Sequence, residues 1–229
     1  MTDEEQVALF LSAGVSDEYR LTTLGFVPDV IYDIGADVGS ITMFAHKTYQ
    51  NAKIIAVEPN PWSFPRLVKN AAEIPEIVPI RAALGLGQMY EARPETEPLH
   101  WMVVGRDAPT WHANLMPSIV PPVMLAELYS RYGGERYVVK MDCESGEFAA
   151  LTHEPDIQMI INSSFFAAEL HIWANEAAEV PKVADTIWRF FFRLAQTHTL
   201  FTKCYGACVH VWAKKRIDGS VEGGDGIIE

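Results

Sequence analysis

One stretch constrains the fold more than any other: an apolar run that carries an acid and then breaks through two glycines into a helix start. Val30-Ile31-Tyr32-Asp33-Ile34 is rich in β-branched residues and reads as a buried parallel strand, with Asp33 near its carboxyl end. Gly35 and Gly39 permit a tight turn, and Ser40 is placed to cap a helix that begins Ile41-Thr42-Met43. In open α/β sheets a junction of this kind is where a ligand sits. The backbone amides of the turn and helix start are expected to be free to bind it.

The next strand narrows the ligand. Lys53 to Val57 is a second buried run, and it ends in Glu58-Pro59-Asn60-Pro61. Asp33 and Glu58 are 25 residues apart, room for one helix and one crossover. An acid at the end of the second strand is placed to accept hydrogen bonds from a ribose diol, so the pair points to a nucleoside-bearing ligand. Asp37 stands where the dinucleotide fingerprint G-x-G-x-x-G has its second glycine, which makes a nicotinamide-dependent oxidoreductase the weakest reading. The turn offers carboxylates, Asp33 and Asp37, and carboxylates suit a cation such as S-adenosylmethionine, which carries a sulfonium and an ammonium. The plain alternative is a structural turn with solvated acids.

Four blocks in order carry a family resemblance: Asp33-Ile34-Gly35-Ala36-Asp37-Val38-Gly39-Ser40, Ala56-Val57-Glu58-Pro59-Asn60-Pro61, Ala83-Leu84-Gly85, and Lys140-Met141-Asp142-Cys143-Glu144-Ser145-Gly146-Glu147. Over residues 25 to 215 the chain resembles the FkbM-type methyltransferases. The resemblance implies an α/β, Rossmann-like class I methyltransferase sheet of seven strands, mostly parallel, with a C-terminal antiparallel hairpin and helices on both faces. It implies S-adenosylmethionine as cofactor and, as activity, methylation of a hydroxyl on a small molecule or sugar. The cofactor set it marks is Asp33, Gly35, Ala36, Asp37, Gly39, Ser40, Glu58, Pro59, Ala83 and Asp142. The family pattern usually has Asn at position 37, Val at 143 and Gly at 145. The Cys143 and Ser145 departures motivate a rival reading, a methyltransferase-like module that binds without catalysing.

Composition sets the outer limits. A chain of 229 residues with 49% hydrophobic residues can build one sizeable α/β domain. Its net charge of −12 disfavours a nucleic-acid substrate, because an acidic protein repels phosphate at long range. The acidic opening lacks a secretion signal's basic start, and no apolar run reaches about 18 residues, so a cytoplasmic protein without a membrane span is expected. The 3 cysteines are sparse and odd in number, which fits a reducing compartment; Cys204 and Cys208 read as ordinary strand residues in preference to a disulfide.

The remaining elements fall into alternation. Residues 3 to 13 have helical spacing and are expected to cover the cofactor cleft, and Ser16 to Leu24 to add a short helix. Further helices are expected from Ser40 to Tyr49, within Trp62 to Ala72 with Pro65 pushing the start to Ser63 or Phe64, from Pro122 to Tyr132, from Glu147 and from Pro181 to Thr197. Strands are expected at Glu76 to Ile80, Arg136 to Met141, Phe165 to Ile172, His198 to Lys203 and Cys208 to Ala213. Ala82 and Ala83 read either as a floor for a flat base or as tight-packing residues. Residues 85 to 121, punctuated by prolines and rich in Trp and His, are the expected substrate wall, with a hairpin from Gln88 to Val104. The whole reads as one domain over residues 1–217 and a tail over 218–229.

The chemistry is expected at the strand ends. Asp142 and Glu144 follow the fourth sheet strand and read as base, substrate clamp or ligands of a Mg²⁺ or Ca²⁺ ion shared with Glu169, although a metal is not required. Lys140 is placed to orient a substrate oxygen. Glu169 and His171 alternate on a strand and so share one face. His171 suits a base near neutrality, or a hydrogen-bonded structural histidine. Glu147 reads as a first-turn acid that favours the helix dipole.

Overall fold

A computed structural model of the 229-residue chain describes residues 17–85, 90–91, 103–104, 116–117, 120–143, 146–171, 180–205 and 208–216. The central sheet has seven strands: β1 (Val30–Ile34), β2 (Lys53–Val57), β3 (Ile77–Ile80), β4 (Tyr137–Met141), β5 (Phe165–His171), β6 (His198–Tyr205) and β7 (Cys208–Lys215). Their order across the sheet is β6-β7-β5-β4-β1-β2-β3. β1 to β5 pair in parallel, and β7 lies antiparallel between β5 and β6. This is the seven-stranded, mostly parallel Rossmann-like sheet with a C-terminal antiparallel hairpin that the resemblance implied. The strand order reverses between β1 and β4, which is where such sheets bind ligands.

Every residue of β1 and β4 is buried, as continuous apolar runs require when both faces are covered. Adjacent residues of each strand enter opposite layers. Ile31, Ile54, Val138, Phe165 and Trp212 pack with Ala45, Leu67 and the segment from Tyr19 to Leu24. Tyr32, Ile55, Val139 and Phe166 pack with Leu125, Leu151, Ile160 and Phe190 on the other side. The helices that supply these layers are α1 (Ser40–Thr48), α2 (Ser63–Ala71), α3 (Leu125–Tyr132), α4 (Glu147–Thr152), α5 (Glu154–Asn162) and α6 (Val180–Leu194).

Several expectations are corrected. Ser40 is the first residue of α1 and not its cap; Gly39, at φ 97°, takes that place. α2, by contrast, starts at Ser63 as expected, and just ahead of it the Asn60 side chain accepts from the Trp62 amide at 2.7 Å. Pro122–Val123 pairs in parallel with Ala83–Leu84, so α3 begins only at Leu125. The segment expected to be helical up to Leu24 is a single 3₁₀ turn, Leu21–Thr23, whose start is held by the Asp17 carboxylate accepting from the Leu21 and Thr22 amides. α5 was not anticipated; Pro155 lies in its first turn, where a missing N–H costs nothing.

Tyr90–Glu91 pairs antiparallel with Val103–Val104, as the expected hairpin requires. The rest of that hairpin, the expected helix over residues 3–13 and the tail over 218–229 lie outside the described residues. No helix among the described residues is long and apolar enough to cross a membrane.

Candidate functional site

The carboxyl ends of β1 and β2 form the first half of the site. Asp33 and Lys140 are register partners on β1 and β4, and their side chains meet at 3.0 Å with both enclosed. Thr42, from α1, donates to the other Asp33 oxygen at 2.6 Å. The Lys140 ammonium also donates to the carbonyls of Gly35 at 2.7 Å and Ile34 at 3.5 Å. The Asp33 contact is an ion pair, and Asp33 Oδ1 has no hydrogen-bond partner among the described residues. Lys140 is 2% exposed and therefore does not reach a substrate; it locks the turn after β1 from behind. Burial pulls its pKa down, but the Asp33 and Asp142 carboxylates outweigh this and hold it above that of an ordinary lysine. Asp33, 0% exposed, likewise supports the turn from behind and does not line a cleft.

The turn itself is tightly specified. A Cβ on Gly35 would lie 1.7 Å from the Asp142 carbonyl oxygen, so only glycine lets the end of β1 meet the end of β4. The amides of Gly35 and Ala36 both donate to the Val57 carbonyl, and that of Gly39 donates to Ala36. The Asp37 amide donates to Glu58 Oε2 at 2.7 Å. These amides are therefore not free, contrary to the expectation from the sequence. Asp37 holds a left-handed conformation at φ 49°, and its exposed carboxylate accepts from the Ser63 hydroxyl at 2.5 Å.

Glu58 is 6% exposed and sits between the two turns, its other oxygen accepting from the Asn60 amide at 2.7 Å. Burial pushes its carboxyl up to about 7, against the lowering effect of the two amide bonds. Each oxygen has one protein donor and so keeps acceptor capacity for a diol. Pro59 is half-buried beside it. Ala83, 1% exposed, packs with Val120, which is the tight-packing alternative of its two readings.

The second half of the site is built by β4, β5 and β7. Asp142 follows β4 and accepts from the Tyr19 hydroxyl at 2.7 Å. His171 ends β5, and its Nε2 lies 3.7 Å from Asp142 Oδ1 and 3.7 Å from Glu169 Oε1. His210 on β7 faces Glu169 directly across the ladder at 3.3 Å. Glu147 stands in the first turn of α4, as expected, but sequence reasoning missed its inward contacts. It is 0% exposed; its Oε1 accepts from the Cys143 amide at 2.6 Å and lies 3.3 Å from His171 Nδ1. Its Oε2 has no hydrogen-bond partner among the described residues. A signal for it existed: Glu147 precedes Phe148, Ala149, Ala150 and Leu151, and an acid that opens so apolar a helix is drawn inward with it.

Glu144, expected as base or clamp, lies outside the described residues, as does Ser145. Burial first, and then the Glu147 charge, push the Cys143 thiol well above its usual value, which favours the protonated form.

A cavity of about 530 Å³ opens beside this second half. Asp17, Glu18 and Arg20 line it from the N-terminal segment, and Glu169, Lys203, His210 and Trp212 from the sheet. The Arg20 guanidinium lies over the Trp212 ring, 4.6 Å from its centre. Burial and the nearby Asp142 carboxylate raise the Glu18 pKa. This wall differs from the expected one over residues 85–121, most of which is outside the described residues.

No protein-family model and no curated protein matches the chain. Among solved structures it is similar to precorrin-6y C5,15-methyltransferase from Geobacter metallireducens, at 13% identity over 86% of this chain and 85% of that one, with a TM-score of 0.43. It is similar to the Methanococcus jannaschii fibrillarin pre-rRNA processing protein, at 12% identity over 82% of this chain and 66% of that one, with a TM-score of 0.42. It is also similar to human N-acetylserotonin methyltransferase in complex with S-adenosylmethionine, at 9% identity over 93% of this chain and 56% of that one, with a TM-score of 0.41.

Proposed function

We propose that this chain is an S-adenosylmethionine-dependent methyltransferase of the FkbM type that methylates a hydroxyl on a small molecule or sugar. One observation carries the reading: the acid that ends β2, Glu58, is bound into the turn that ends β1 through the Asp37 amide, beside the point where strand order reverses. Glu58 is the acceptor for the ribose diol. Gly35, Ala36, Gly39 and Ser40 shape the turn around it, and the half-exposed Asp142 and exposed Asp37 set negative charge on its two flanks. The cofactor brings a methyl carbon already activated by its sulfonium, so the protein's task is alignment and exclusion of water.

The acceptor enters from the cavity lined by Glu169 and His210, whose volume of about 530 Å³ suits a sugar-sized molecule. His171 takes the hydroxyl proton on Nε2, and Glu147 holds the ring by its other nitrogen. The net charge of −12 weighs against a phosphate-backbone substrate. Calorimetric titration with S-adenosylmethionine and S-adenosylhomocysteine tests the reading. Saturable heat is expected from both, and none from either, in folded protein, would remove it. Binding without turnover across a panel of hydroxylated acceptors would favour the non-catalytic module.

A further inference from the structure

The register of β5 and β7 gathers four potential metal ligands on one face of the sheet. His171 lies directly opposite Cys208, and Glu169 directly opposite His210. Residues two apart on a strand share a face, so all four project together. Ligand atoms of Glu169, His171 and Cys208 lie within 4.8 Å of one another, and those of Asp142, Glu147 and His171 do so as well. The two sets share His171.

The electrostatics of this corner call for a cation. Asp142, Glu147 and Glu169 place three carboxylates around His171, and His210 reaches only Glu169 among them. The His171 ring lies between the three, Nδ1 at 3.3 Å from Glu147 and Nε2 at 3.7 Å from both Asp142 and Glu169. Glu147 Oε2, fully enclosed, adds an acceptor with no partner among the described residues.

We infer that this corner binds one divalent cation of the zinc class, held by Glu169, His171 Nε2 and the Cys208 thiolate, with Asp142 or His210 closing the fourth position. Bonds of about 2.0–2.3 Å in a tetrahedral site separate ligand atoms by roughly 3.3–3.8 Å. The 3.7 Å from His171 Nε2 to Glu169 Oε1 and to Asp142 Oδ1 lies in that range, and His210 Nε2 is 3.3 Å from the other Glu169 oxygen. A carboxylate on the far nitrogen of a ligating imidazole orients it and raises its basicity, and Glu147 occupies that position. Thiolate and imidazole select a borderline ion over Mg²⁺ or Ca²⁺. Glu169 and His210 also line the cavity, which gives the ion an approach from solvent. The site goes beyond the methyl-transfer reading and does not rest on it. An ion on Nε2 uses the lone pair that would accept a proton, so metal-loaded and proton-accepting forms exclude each other.

Cobalt(II) titration of the full-length, metal-stripped chain tests the site, with S-adenosylmethionine binding measured calorimetrically on the same preparation. The expected result is one ion per chain, tetrahedral visible absorption and a near-ultraviolet thiolate-to-cobalt charge-transfer band, all displaced by Zn²⁺ and not by Mg²⁺. Cys208→Ser should abolish the charge-transfer band. His171→Gln and Glu169→Gln should weaken binding at least about tenfold, and Glu147→Gln by about 10–100-fold. Cys204→Ser, at an exposed position outside the cluster, should change nothing. Far-ultraviolet circular dichroism establishes that each variant is folded. A wild-type spectrum without the charge-transfer band, a band that survives Cys208→Ser, or one that Cys204→Ser removes would each overturn the site, whatever the cofactor titration shows.

Discussion

The two halves of this sheet edge use their acids in opposite ways. At the ends of β1 and β2, Asp33 is matched by Lys140 and Thr42, Glu58 by two amides, and Asp37 by Ser63. At the ends of β4, β5 and β7, the Asp142, Glu147 and Glu169 carboxylates converge on one imidazole. The first half is a finished scaffold whose acids hold a turn in shape. The second crowds three carboxylates around ring nitrogens and leaves Glu147 Oε2 enclosed without a hydrogen-bond partner among the described residues. The difference shows why acidic residues at strand ends are not one kind of feature: what matters is the donor each one meets.

Breaking the finished half should have the largest effect. Lys140→Met leaves the Asp33 carboxylate enclosed with Thr42 as its remaining partner, and removing one member of a buried pair costs about 3–5 kcal/mol. Urea denaturation measures it. Asp33→Asn combined with Lys140→Met should recover most of the loss, since no uncompensated charge remains. A single variant as stable as wild type would show that the pair contributes nothing.

A smaller effect of about 3 kcal/mol is expected from pH, at 1.36 kcal/mol for each unit by which a pKa is displaced. Burial raises Glu58 from 4.5 to about 7, so the stability it contributes is present below 4.5 and is lost as pH rises through 7. Burial lowers His198, which begins β6 at the opposite edge, from 6.5 to about 4. Its contribution is present above 6.5 and is lost as pH falls towards 4. Over roughly pH 4.5–6.5 the two slopes oppose each other. Relative to wild type, Glu58→Gln should therefore gain stability as pH rises through that window, and His198→Gln should lose it. Parallel curves for wild type and both variants would refute the assignment.

Cofactor affinity comes next. Glu58→Ala should weaken S-adenosylmethionine binding by about 1–3 kcal/mol, the scale for losing a hydrogen bond to a charged acceptor. An unchanged dissociation constant would place the ribose elsewhere.

The halves were also unequally legible in the sequence. β1, β2, β4 and β5 could be read because each is an apolar run that ends at an acid, a glycine or a polar turn. Glu58 could be read because its role follows from its place after β2. The Lys140–Asp33 lock could not, since it depends on the register between strands more than 100 residues apart in the chain. Glu147 was assigned to the nearest physical effect, the dipole of its own helix, while its partner is the end of β5. Glu169 and His171 were read as neighbours on one face, but the pairs they form with His210 and Cys208 need the register between β5 and β7. α5 was hidden by Pro155, a breaker in most positions and harmless in a first turn.

The smallest predicted effect concerns the residue that joins the two halves. Tyr19 places its ring 5.1 Å from the Lys140 ammonium and donates its hydroxyl to Asp142 at 2.7 Å. Burial and the Asp142 charge raise its pKa, so the hydroxyl stays protonated and remains a donor. Tyr19→Phe keeps the ring, and with it the contact to Lys140, but removes the donor from Asp142. The stability loss should be about 0.5–1.5 kcal/mol, the usual net contribution of one hydrogen bond. If the two halves are as distinct as their donors suggest, cofactor affinity should remain within about twofold, because Glu58 and the β1 turn are untouched, and a twofold change is well below the loss of one such bond. Loss of cofactor binding with a normal stability change would show instead that Tyr19 couples the halves into one site.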